Sequence, residues 1–217
     1  MSRSTTNIVK FGNLAASDEL GSVLVRLMMA CNDFSLAREC FGMWRRPETR
    51  KQETRAASAQ RYFLRLQISH VCEAMDIIDE IERSSKLRKA VEAADAQTQA
   101  SFNELKALKK SPRYKAMKLI RNKVAFHYDP DWVSETIERV DKKRPDLRTT
   151  ISMGEEALDW FFEPADLVED ALVVRKIFKV PQGADVRAET DKVLNALQEF
   201  AAVFGDFAGY FVKHHSV

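Results

Sequence analysis

Ten residues, Arg121-Asn122-Lys123-Val124-Ala125-Phe126-His127-Tyr128-Asp129-Pro130, hold the side chains of this chain best suited to chemistry. They close a stretch from Leu105 to Tyr128 that has eight lysines and arginines and no acidic residue. An arginine presents a planar fork of donors that matches phosphate oxygens and neutralises their charge. A histidine in the last turn of a helix meets the negative end of the helix dipole, which favours the imidazolium. Beside a fixed arginine it can take the proton of a ribose 2′-hydroxyl or give one to a leaving oxygen. That set suits cleavage of an RNA phosphodiester without a metal ion. Asn122 adds an amide able to orient the phosphate or the guanidinium.

Spacing decides what one copy can do. On an ideal helix the chain from Arg121 to His127 rises about 9 Å and turns about 600°, leaving the two side chains roughly 120° apart. They border one groove without sharing a face, and a single histidine serves poorly as both acid and base. A two-fold dimer with a second copy nearby completes the set. Glu73 and Asp76 provide another completion, orienting Arg121 or His127 if their helix packs alongside. A purely structural role stands against these: His127 bonded to carbonyls at the helix end, with Arg121 paired to Asp129.

The elements that must position these residues read as helices. Leu20, Leu24, Leu27, Cys31 and Phe34 step by three or four in a helix from about Ser17 to Met43. Phe63, Leu66, His70, Ala74, Ile77 and Ile81 mark a second, from roughly Pro47 to Arg83. Ser85 to Lys110 is a good helix former with a thin apolar face, expected to cover the bundle rather than form its centre. Met117, Ile120, Val124 and His127 align on a helix from about Pro112 to Tyr128, which Asp129-Pro130 stops. Further helices are expected at Trp132 to Lys142 and Glu163 to Lys179. The last, near Ala184 to His214, carries Val193, Leu197, Phe200, Phe204, Phe207 and Phe211, a stripe read as core that also suits a dimer seam. Leu147 to Met153 is the one strand candidate. The expected fold is a single all-α domain over residues 1–217, a bundle of about five to seven helices. Residues 1–16 are expected to be flexible and 143–164 an irregular insertion.

Bulk properties agree. Seven glycines and six prolines among 217 residues suit long helices better than turn-rich sheets. No apolar run approaches the roughly 18 residues of a bilayer span, and Met1 to Lys10 lacks a signal-like core, so a cytoplasmic protein is expected. The basic runs carry few aromatic anchors for a membrane surface. Cys31, Cys40 and Cys72 match neither a zinc ligand set nor a disulfide framework and read as small buried hydrophobes. His70 reads as a core histidine and His214-His215 as tail. Glycine-rich phosphate loops, nucleophile elbows and paired metal ligands are absent, so neither cofactor nor metal is expected.

Arg121-Asn122 followed by His127, with five residues between the arginine and the histidine, on a late helix of an all-α bundle, resembles the HEPN superfamily. The resemblance implies a helical bundle that dimerises so that two such motifs line one cleft. It also implies metal-independent endoribonuclease activity, with Arg121 and His127 as the catalytic pair and Asn122 in support. Proteins of this kind often serve as toxins or antiviral effectors, which implies RNA and a cognate antitoxin protein as partners. Lys115, Lys118 and Lys123 are the lysines expected to hold RNA backbone. Some members have lost catalysis and serve as modules for dimerisation and for protein or nucleic-acid binding.

Overall fold

The computed structural model describes Leu14 and residues 18–46, 48, 50–125, 128–155, 161–180 and 186–216. Among these are α1 (Asp18–Met43), α2 (Arg50–Arg83), α3 (Ser85–Ala93), α4 (Ala96–Lys109) and α5 (Pro112–Ile120). α6 (Pro130–Lys143), α7 (Glu163–Asp170) and α8 (Val186–Ser216) follow, with strands β1 (Ile151–Ser152) and β2 (Phe161–Phe162) between α6 and α7. Two helices run on as π-helical turns, Arg121–Ala125 after α5 and Ala171–Ile177 after α7. The fold is all-α, as the periodicity predicts. Of residues 1–16, expected to be flexible, all but Leu14 lie outside the described residues.

The core is organised around α8. Phe200, Phe207 and Phe211 are almost wholly buried, and Val193, Leu197 and Phe204 join them. α1, α2 and α4 pack against this stripe. Phe207 stacks on Phe211 at 5.2 Å between centroids and meets the Phe102 ring of α4 at 5.4 Å. Each such pair contributes about 0.5–1.5 kcal/mol beyond simple burial. The stripe is therefore core within one chain.

α4 lies deeper than its composition suggests. Besides Phe102 and Leu105, it buries Thr98 and Ser101. Phe102 reaches Phe207 of α8, so a face that looks thin by apolar count is a central one. His215, expected to be tail, is also packed. Its ring meets Phe211 at 4.7 Å, and its Nε2 lies 3.2 Å from the Ala90 carbonyl oxygen. Burial holds its imidazole below the ordinary value.

The stretch from Ser85 to Lys110 divides in two, which makes eight α-helices among the described residues. The cause is Asp95, whose carboxylate accepts from Thr98 N at 2.9 Å and from Thr98 Oγ1 at 3.1 Å. Ser84 and Ser111 cap α3 and α5 in the same way. A Ser or Asp inside a helix competes for backbone donors, and here that competition starts a new helix. The strand candidate also finds a partner. Ile151 pairs with Phe162 and Ser152 with Phe161 in an antiparallel ribbon. The Glu163 carboxylate secures it by accepting from Thr150 N at 2.9 Å and Oγ1 at 2.7 Å.

α1 departs from expectation too. Glu19–Met43 is long and apolar enough by composition to cross a bilayer, because small residues such as Gly21, Ser22 and Ala30 bridge its apolar ones. Here it packs on α2 and α8 with Val23, Leu24 and Leu27 buried.

Phe207→Ala empties the centre of the core. It is expected to lower unfolding free energy by about 3–5 kcal/mol, measured by denaturant titration.

Candidate functional site

Helix α5 places the chemistry-bearing segment. Ser111 caps it, accepting from Tyr114 N at 3.1 Å, and Pro112 occupies its first turn. Tyr114, Met117, Ile120 and Val124 turn inward and are buried, so the stripe read from the sequence is the packing face against α2. Past Ile120 the chain widens into the π-helical turn Arg121–Ala125. Bonds from i to i+5 replace i to i+4 there, so the ideal α-helical phase no longer holds beyond Arg121. Single π turns of this kind occur frequently at functional sites.

Arg121 leaves that turn toward α2. Its Nη2 donates to Glu73 Oε1 at 2.6 Å, and its Nη1 donates to Asn122 Oδ1 at 3.0 Å. The helices do pack side by side, so Glu73 orients Arg121, one of the completions open in the sequence. The pairing of Arg121 with Asp129 is not formed. The Glu73 hydrogen bond, ahead of the cost of partial burial, raises the Arg121 pKa further and keeps it cationic. The side chain remains 37% exposed. An arginine has five N–H donors, and these two contacts leave others able to grip a phosphate. Asn122 is exposed and acts as the second brace of the guanidinium.

The lysines diverge. Lys115 and Lys118 are exposed along α5. Lys123 instead donates to Asp129 Oδ2 at 2.6 Å and lies 5.7 Å from the Trp132 ring centroid. It secures the corner between the π turn and α6. Asp129 also accepts from Trp132 N at 3.1 Å and so caps α6, the helix whose start ends the preceding one. These bonds, that from Lys123 first, hold the Asp129 carboxyl below the usual carboxylate range.

His127 and its neighbour Phe126 lie outside the described residues. Tyr128, which follows them, and Val124 line a cleft of about 610 Å³ bounded also by α6 and α7. Arg65 of α2 and Glu169 of α7 both line it and form an ion pair at 3.0 Å. Burial pushes the Glu169 carboxyl up, while Arg65 and Arg61 pull it down. Nearby, Arg61 bridges Asp166 at 2.5 Å and Asp170 at 3.3 Å. The charge pattern of α7 in the sequence hints at such a clamp, but only the pairing with α2 identifies Arg65 and Glu169. No group of three His, Cys, Asp or Glu side chains among the described residues is placed to hold a metal ion.

Of the cysteines, Cys72 is buried beneath this region, and its burial pushes the thiol up to about 12. A thiol so placed is inert near neutrality. Cys31 and Cys40 are half-buried.

Glu73→Ala frees the guanidinium without disturbing the core. Pairs as exposed as Arg121–Glu73 contribute about 0.2–1 kcal/mol, so the melting temperature should barely move, whereas Glu73→Gln should keep Arg121 oriented. The stability that Asp129 contributes should be fully present above the ordinary aspartate pKa of about 3.9 and be lost as pH falls below it. Asp129→Ala should make the acid limb of thermal melts shallower, leaving the share of Asp95 and Glu163, whose carboxyls are also held below the usual range. No protein-family model, no curated protein and no solved structure matches this chain, so the reading of the site rests on its own residues.

Proposed function

We propose that this protein is a metal-independent endoribonuclease in which Arg121 and His127 are the catalytic pair. The observation that carries the reading is the state of Arg121. It is braced by Glu73 and Asn122 yet still over a third exposed, as an oriented phosphate receptor should be. Its guanidinium binds the scissile phosphate and offsets the charge that builds on the non-bridging oxygens. A histidine takes the proton of the 2′-hydroxyl, whose oxygen attacks phosphorus. The bond from phosphorus to the 5′-oxygen breaks, and a second imidazolium, from another copy of the chain, protonates that oxygen. The products are a 2′,3′-cyclic phosphate and a free 5′-hydroxyl, with no net redox change. Lys115 and Lys118 lie on the same helix, exposed for flanking phosphates. Toxin or antiviral-effector use, with an antitoxin partner, belongs to the same proposal.

A second reading has its own support. Arg121 and Lys123 are already in ion pairs, as suits a helical module that binds protein or nucleic acid without cutting it.

The two readings separate with purified protein, a mixed RNA pool and EDTA. Under the first, cleavage survives chelation and falls by about 10²-fold or more in both His127→Ala and Arg121→Ala. Glu73→Ala should lower kcat more than it raises KM, with Glu73→Gln restoring part of the loss. Equal cleavage by wild type and His127→Ala would overturn the mechanism and leave the binding module.

A further inference from the structure

The cleft beside the π turn has the size of a small-molecule site, which typically spans about 300–1,000 Å³. Its walls are largely aliphatic, with Val124, Val133, Ile137, Val140, Leu167 and Leu172 among them. Walls of this kind close on the faces of a planar ring through dispersion. Tyr128, 74% exposed, stands at the cleft with its ring free to stack on a neighbouring base.

Of the polar side chains that line it, Arg65 at 12% and Glu169 at 16% exposure are the most withdrawn from water, whereas Asp141, Arg144 and Thr149 are exposed and Lys123 is held by Asp129. The Arg65–Glu169 ion pair leaves Arg65 under-used. Its Nε and Nη1 are buried and make no well-formed hydrogen bond among the described residues, although Nη1 lies 3.0 Å from Glu169 Oε2. Buried donors in this condition call for an acceptor. An anionic head group meets the Glu169 carboxylate and a cationic one meets Arg65, so neither suits the pair. A neutral, flat group that accepts beside the place where it donates suits both.

Guanine has that edge. Its O6 and N7 accept from an arginine fork, and its N1–H and amino group donate to a carboxylate. Adenine turns an amino donor toward the arginine; cytosine, whose N3 and O2 accept and whose amino group donates, and uracil offer only a single ring to the aliphatic walls. We propose that the cleft between the Arg121 turn, α6 and α7 binds a guanine base, with Arg65 and Glu169 reading its edge. Along α2, Arg65 lies eight residues before Glu73, about 12 Å on a helix. A base held at Arg65 therefore sits beside, and separate from, a phosphate held at Arg121. That the base belongs to RNA rests on the ribonuclease reading.

The test is equilibrium dialysis of the full chain against 5′-GMP, AMP, CMP and UMP, none of which has a bond for the enzyme to cut. GMP should bind saturably and at least about fivefold more tightly than AMP, the least that a good bidentate contact discriminates. Ile137 lines the cleft and is 51% exposed, so Ile137→Trp can plug it without touching the core. That variant should lose GMP binding about tenfold or more at an unchanged melting temperature, and Glu169→Gln should shrink the preference for GMP over AMP. Equal affinity for GMP and AMP, or GMP binding unaffected by Ile137→Trp, would overturn the inference. GMP binding without any RNA cleavage keeps the cleft and removes the nuclease; cleavage without GMP binding does the reverse.

Discussion

Burial of the α8 phenylalanines against α1, α2 and α4 is the constraint from which the rest of the structure follows. Wholly buried rings at Phe200, Phe207 and Phe211 leave α2 little freedom to rotate or slide, because its Ile68, Met75, Ile78 and Ile81 fill the same core. Close packing makes such a position discrete rather than adjustable. With α2 held, every polar residue on its remaining surface has a definite place.

α2 then acts as a ruler for two charged devices. Arg61 and Arg65 hold Asp166, Glu169 and Asp170 of α7, while Glu73 holds Arg121. The devices differ physically. The Arg65–Glu169 pair is mostly buried, so its attraction works against a desolvation cost, and it selects geometry more than it adds stability. The Arg121–Glu73 pair is half in water, contributes little to folding, and leaves the guanidinium accessible. Depth alone separates the two pairs: one is sheltered enough to select geometry, and the other leaves its guanidinium in reach of water.

The π turn links the two. Widening the helix after Ile120 sends Arg121 toward α2 while Lys123 and Val124 enter the cleft wall. Lys123 then locks onto Asp129, which caps α6 and so fixes another wall. A single short segment thereby joins an oriented arginine, a helix cap and a cleft.

Much of this was legible in the sequence. Three-four spacing of Met117, Ile120 and Val124, and of Phe200 to Phe211, marks the buried faces, because a helix has one period and a core has one side. Ser111-Pro112 and Asp129-Pro130 mark helix boundaries, because capping and the geometry of proline are local. Arg121 and Asn122 stood out by type and neighbourhood, and Glu73 as a helper if two helices met. What the sequence could not hold is whatever depends on residues far apart along the chain. The depth of α4 comes from Phe102 meeting Phe207 of α8, more than a hundred positions away. The brace on Arg121 spans 48 positions and the Arg65–Glu169 pair spans 104, distances over which no periodicity carries information. Local sequence therefore determined the helices, their inward faces and which side chains are candidates for chemistry. Tertiary packing alone decided which partners those residues face, because a charge takes its role from what surrounds it once the core has closed.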